Sequence, residues 1–140
     1  MALFRRRPTS AEVHVYSGSE WLEVKGESAF QPNLEAIAGP KCHDGYNLPV
    51  DAVLIREPDN PHDANAIAVY ATDPRTGRAS KVGFVGRPAV ERLAPAIDRK
   101  NAAGETVGME GYIRGGWLRS DGDEGHYGIW LSYDPADFGL

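Results

Sequence analysis

"REPDNPHDANAIAVY", residues Arg56–Tyr70, is the stretch on which the reading of this chain turns. Strand-forming residues run into it, turn-formers crowd its middle, and a short apolar strand leaves it. A simple hairpin would need little more than Asn-Gly. Here the connection carries Asn60, Asn65, Asp59, Asp63, Pro58, Pro61 and His62. Asn60 can fold its side chain onto the backbone two residues on, and Pro61 presets φ for the second turn position. Asp63 can cap the far side, and Asn65 can tie the turn to the next strand. Either these residues scaffold an awkward turn, or some of them form a site.

Working outward, "VDAVLIRE" (50–57) and "AIAVYAT" (66–72) are the two strands that the turn joins. "DPRTGR" is a second turn, with Gly77 free to take positive φ. "ASKVGFVG" (79–86) then returns as a third strand, making a meander. "RPAVERLAPAIDRKNAAG" follows with Val90, Leu93, Ala94 and Ile97 at helical spacing. Pro95 in its middle should kink or split that helix. Upstream, "WLEVKGE" (21–27) alternates as a strand, and "QPNLEAIAG" is a short helix with Pro32 at its start and Gly39 past its end. "GPKCHDGYNLP" (39–49) reads as a loop. Downstream, 106–117 and 126–133 are two more strands, and the glycines of "GYIRGGW" suit a bent barrel strand. Trp21, Trp117 and Trp130 read as core or barrel-end residues.

About six strands and two short helices predict a mostly β fold: a small OB-like antiparallel barrel or curved sheet. Residues 1–20 are expected to be a polar tail or edge strand, 21–134 the barrel domain and 135–140 a C-terminal tail. The chain has 140 residues, 16 Gly, 10 Pro and a net charge of −5. That balance argues against patch-wide adhesion to nucleic acid but not against a local site. Seven cations stand against three anions between Ala71 and Lys100, whereas Ser120 to the end holds five anions and no Lys or Arg. Cys42 alone excludes an internal disulfide and a four-cysteine zinc site. Cys42-His43-Asp44 has no ligand-motif spacing to another His, so neither a metal nor any other cofactor is expected. No run approaches a membrane span or a signal peptide, and the expected location is cytoplasmic.

The order of these elements, with "REPDNPHDANAIAV" (56–69) and "KVGFVGRPAVERLAP" (81–95), resembles the HIRAN domain family. "VKGESAFQPNLEAIAG" (24–39) and "IRGGW…GHYGIWLSY" resemble the start and last hairpin of its stand-alone bacterial and phage members. The resemblance implies an OB-type barrel and binding of single-stranded DNA. In characterised eukaryotic members the free 3′ end is held by base stacking and by hydrogen bonds to the terminal hydroxyl.

On that resemblance, Asp63 is associated with the end hydroxyl. A carboxylate accepts from a sugar OH and repels a phosphate. His62, where other members carry Tyr, can stack on a base. Phe84 falls where the family places a residue near the terminal base, although a strand Phe also suits the core. Arg87 matches a backbone-contacting position beside the positive end of a helix. Lys81 would share the phosphate, and Asn60 belongs to the turn. Where eukaryotic members use an Arg-Tyr pair, this chain has Ser28 and Ala29, leaving Phe30 to offer a ring and Ser28 a hydroxyl. This departure makes the groove less basic.

The expectation is therefore a non-enzymatic module for single-stranded DNA or DNA ends, serving repair or fork processing with a helicase or nuclease in trans. The alternative is a protein-interaction module of the same fold, using strand edges or Trp117.

Overall fold

Strands such as Glu20–Lys25 and Tyr127–Tyr133 bury alternate side chains, and the buried residues form one hydrophobic core cluster. The computed structural model describes residues 13–140. Its strands are β1 (Val13–Tyr16), β2 (Glu20–Lys25), β3 (Tyr46–Arg56), β4 (Ile67–Thr72), β5 (Ala79–Val85), β6 (Thr106–Gly115) and β7 (Tyr127–Tyr133). The sheet order is β1-β6-β3-β4-β5-β2-β7, and β6 also pairs with β7. Six antiparallel strands thus close a barrel. β1 lies outside it, parallel to β6. The expected mostly β, six-stranded barrel is what the chain forms.

Closure depends on close approaches. β6 places Gly111 in phase with buried Met109 and Ile113, and a Cβ there would stand 2.3 Å from the Trp130 carbonyl oxygen. Only glycine lets β6 and β7 meet at that rung. On the other side β5 and β2 share just two rungs, Val24 with Val85 and Lys25 with Phe84. A Cβ at Gly83 would meet the Lys25 carbonyl oxygen at 2.6 Å, so that narrow seam also needs a glycine.

Helix α1 (Gln31–Ala38) buries Leu34 and Ile37, with Pro32 in its first turn and the Gly39 N–H closing on Glu35. Helix α2 (Ala89–Ala102) buries Val90, Leu93, Ala94, Ala96 and Ile97. Burying each large aliphatic side chain contributes about 1.5–3 kcal/mol.

Four expectations need correction. Helix α2 continues through Pro95 as one element; Pro95 is exposed, on the side where water can serve the carbonyl that loses its donor. Strand β3 starts at Tyr46, not Val50, because Pro49 lies beyond the part of β3 that β4 covers, so no ladder bond is lost on that edge. Residues 135–140 are no loose tail: Pro135–Phe138 forms a 3-10 turn capped by Asp134, and Phe138 is buried against Tyr16 and Tyr133. Trp21 and Trp130 face out, because Leu22, Val24, Ile129 and Leu131 take the inward phase of their strands. Residues 1–12 of the expected polar tail, Arg5–Arg7 among them, lie outside the described residues.

Candidate nucleic-acid interface

The crowded turn is held by its own side chains. Asn60 Oδ1 accepts from the His62 N–H at 2.8 Å and the Asp63 N–H at 3.2 Å. Its amide donates to Glu57 Oε1 at 3.1 Å. Asp63 Oδ1 accepts from the Asn65 N–H at 2.8 Å, capping the turn as expected. Asn60 is therefore fully used by the scaffold. Asp63 is only half used.

Its second oxygen accepts from Arg87 Nη2 at 3.0 Å, while Arg87 Nη1 donates to Glu91 Oε2 at 2.7 Å. Lys81 Nζ donates to Glu57 Oε2 at 2.6 Å and stands 4.6 Å from the centroid of the Phe84 ring. The Lys81 ammonium, helped by the Asn60 amide, holds the Glu57 carboxyl below the usual carboxylate range. Phe84 in turn meets Phe30 edge-on, centroids 6.4 Å apart. Both rings are half-buried. Phe84 is thus not sealed in the core, because position 84 sits at the two-rung seam where β2 ends.

A continuous chain of contacts runs Phe30–Phe84–Lys81–Glu57–Asn60–Asp63–Arg87. It brings together six of the eight residues singled out from the sequence: Asn60, Asp63, Lys81, Phe84, Arg87 and Phe30. His62 stands exposed on the turn with no ring contact to Phe30 or Phe84. Ser28 is exposed in the 3-10 turn Glu27–Phe30. The fixed member of that "GES" segment is Glu27, whose Oε2 accepts from the Ile129 N–H at 2.9 Å; burial pushes its carboxyl up.

Both cations proposed for phosphate are thus already paired, three carboxylates (Glu57, Asp63, Glu91) against two cations. Charge counting on the sequence missed this, since it cannot see cross-strand partners. The Arg87 side chain is 63% exposed. Pairs so exposed contribute at most about 1 kcal/mol each, so a phosphate can exchange for them.

A hollow of about 850 Å3 lies elsewhere, on the outer face of β2, β3, β6 and β7. Trp21, Tyr112 and Arg114 line it. The signal for it was in the sequence: aromatic residues on the outward phase of two strands, Trp21 in "WLEVK" and Tyr112 in "GYIRGG".

Closed barrel, short helices and a rim of paired charges beside half-exposed rings define a small β-barrel domain. No curated protein matches the chain, and no solved structure does. The HIRAN domain family matches residues 38–113, more than half of the chain, and the protein belongs to that family. HIRAN domains are generally DNA-binding modules. Among the described residues no helix is long and apolar enough to cross a membrane.

Proposed function

We propose that the protein is a non-enzymatic cytoplasmic module that binds single-stranded DNA at the rim formed by residues 57–65, Lys81, Phe84, Arg87 and Phe30, with preference for a free 3′ end. The observation that carries this reading is the half-exposed Phe30–Phe84 pair beside Lys81, joined through the turn to Asp63 and Arg87. The terminal base stacks on the rings, and the phosphates draw Arg87 and Lys81 from their carboxylates. Asp63, released from Arg87, accepts from the terminal hydroxyl. The module serves repair or fork processing beside a helicase or nuclease that supplies the motor or the chemistry.

Fluorescence anisotropy tests the end preference by comparing a short oligonucleotide ending in 3′-OH with its 3′-phosphate twin. The 3′-OH form is expected to bind tighter by about tenfold or more, the scale of one charge-assisted hydrogen bond. In Asp63→Ala that gap closes, while the phosphate twin binds no worse because Arg87 is freed. Equal, negligible binding of both oligonucleotides sinks the reading in favour of a protein-interaction module. Equal, strong binding keeps DNA and discards the hydroxyl role.

The paired cations give a second expectation. Glu57→Gln removes the partner of Lys81, so affinity for single-stranded DNA rises. The slope of log K against log salt steepens, by at most about 0.7, because no carboxylate is freed to take a cation back from solution when Lys81 meets its phosphate. An unchanged slope would place Lys81 outside the interface.

A further inference from the structure

The hollow on the outer face of β2, β3, β6 and β7 plays no part in the rim just described. Three rungs between β3 and β6 cross it: Asn47 with Arg114, Pro49 with Tyr112, and Asp51 with Glu110. The last sets two carboxylates directly opposite each other on neighbouring strands, an arrangement that disfavours the sheet. Among the described residues neither carboxylate accepts a hydrogen bond or forms an ion pair, and both are exposed. Other acids of the described residues, Glu57, Asp63, Glu91, Asp98, Asp123 and Glu124, have cationic partners, and those that lack one, such as Glu35 and Asp137, do not face a second carboxylate across a rung.

The middle rung is a wall of rings. Trp21, 49% exposed, lies 6.3 Å from Tyr112, and Trp130, 37% exposed, is the cross-strand neighbour of Tyr112 on β7. The Arg114 guanidinium rests over both Trp21 and Tyr112, at 5.4 and 5.6 Å from their centroids, and donates to Asn47 Oδ1. The wall therefore already takes one planar cation, as aromatic faces do. Its acid end is vacant of any such partner among the described residues.

We propose that this hollow docks a basic segment of a partner protein, an Arg or Lys head reaching Asp51 and Glu110 while its stem lies along Trp21 and Tyr112. Charge decides the class of occupant. A nucleic-acid strand laid here would meet one cation, Arg114, and two carboxylates, whereas a basic peptide meets complementary charge and an apolar wall for its methylenes. The site is independent of the DNA rim and uses none of its residues.

The test is binding of a fluorescein-labelled peptide of alternating Arg and Gly to the full chain, with a Glu-for-Arg twin as control. The expected result is saturable binding of the basic peptide alone, weakened at least tenfold in Asp51→Asn/Glu110→Gln. A charge-matched control, Glu35→Gln/Asp137→Asn, stays within twofold of wild type. Both double variants are near-isosteric, and circular dichroism confirms their fold. Equal loss in the two variants means diffuse attraction to an acidic protein and overturns the proposal. So does failure of the wild type to bind the peptide. Binding of an oligothymidine that is lost in Trp21→Ala makes the face a nucleic-acid surface instead. Peptide binding that appears only after Arg5, Arg6 and Arg7 are changed to Ser makes the chain's own segment the occupant. A dimer that dissociates in Asp51→Asn/Glu110→Gln makes a second copy the occupant. Each of these three also overturns it.

Discussion

Phe138→Ala is expected to destabilise the protein by about 3–5 kcal/mol, although the residue stands only two positions from the chain's last. Its ring is 2% exposed. It packs at 4.9 Å on Tyr16 and edge-on at 5.8 Å on Tyr133, with Lys100 Nζ 5.1 Å from its centroid. Lys100 also donates to the Tyr16 hydroxyl, which in turn donates to Glu105. Burial and the bond to Glu105 push the Tyr16 phenol above its ordinary value. Removing the Phe138 ring opens a cavity between β1, β7 and α2 that no neighbouring side chain can fill without leaving its own contacts. Urea unfolding would show the loss as a lower midpoint with an unchanged slope. A cost under about 1 kcal/mol, the level of an ordinary surface substitution, would mean that the last turn does not seal the barrel.

At the rim, Phe84→Ala should weaken binding of single-stranded DNA by roughly tenfold to a hundredfold, corresponding to the loss of about 1–3 kcal/mol of base stacking. The ring is half-buried and carries Lys81 on its face, so the substitution removes both a stacking surface and the support of a cation. Phe84→Trp keeps a face there and should retain binding. Ser28→Ala, in contrast, should leave the melting temperature unchanged, because the exposed Ser28 hydroxyl makes no contact among the described residues. If Phe84→Ala binds within twofold of wild type while its melting temperature is preserved, the bases do not stack at this end of the barrel.

Much of the fold was legible because period-two burial marks it directly. Leu22 and Val24, Val50, Ala52 and Leu54, and Ile129 and Leu131 all take the inward phase that alternation assigns them. The turn at 57–65 was legible for a different reason, since Asn60 and Asp63 bind backbone within three residues of themselves. Interactions of that range are written locally. What escaped is long-range. Nothing near Lys81 in the chain reveals Glu57 as its partner, and nothing near Phe138 reveals Tyr16. A lone Phe among Pro, Ala, Asp and Gly has no periodicity to read. The outward tryptophans follow phase alone: Trp21 and Trp130 alternate with buried Leu22, Ile129 and Leu131.

Strand β6 changes partner along its length: β1 pairs with Thr106–Met109, and β7 takes over at Glu110–Gly115. The short first strand thus shields the stretch of β6 that the closing hairpin leaves bare. A chain deprived of it would bare the backbone edge of β6 at Thr106–Met109, inviting the same four-residue strand from a neighbouring copy. Exchange of arms between molecules, rather than collapse, is the failure to which this architecture is prone.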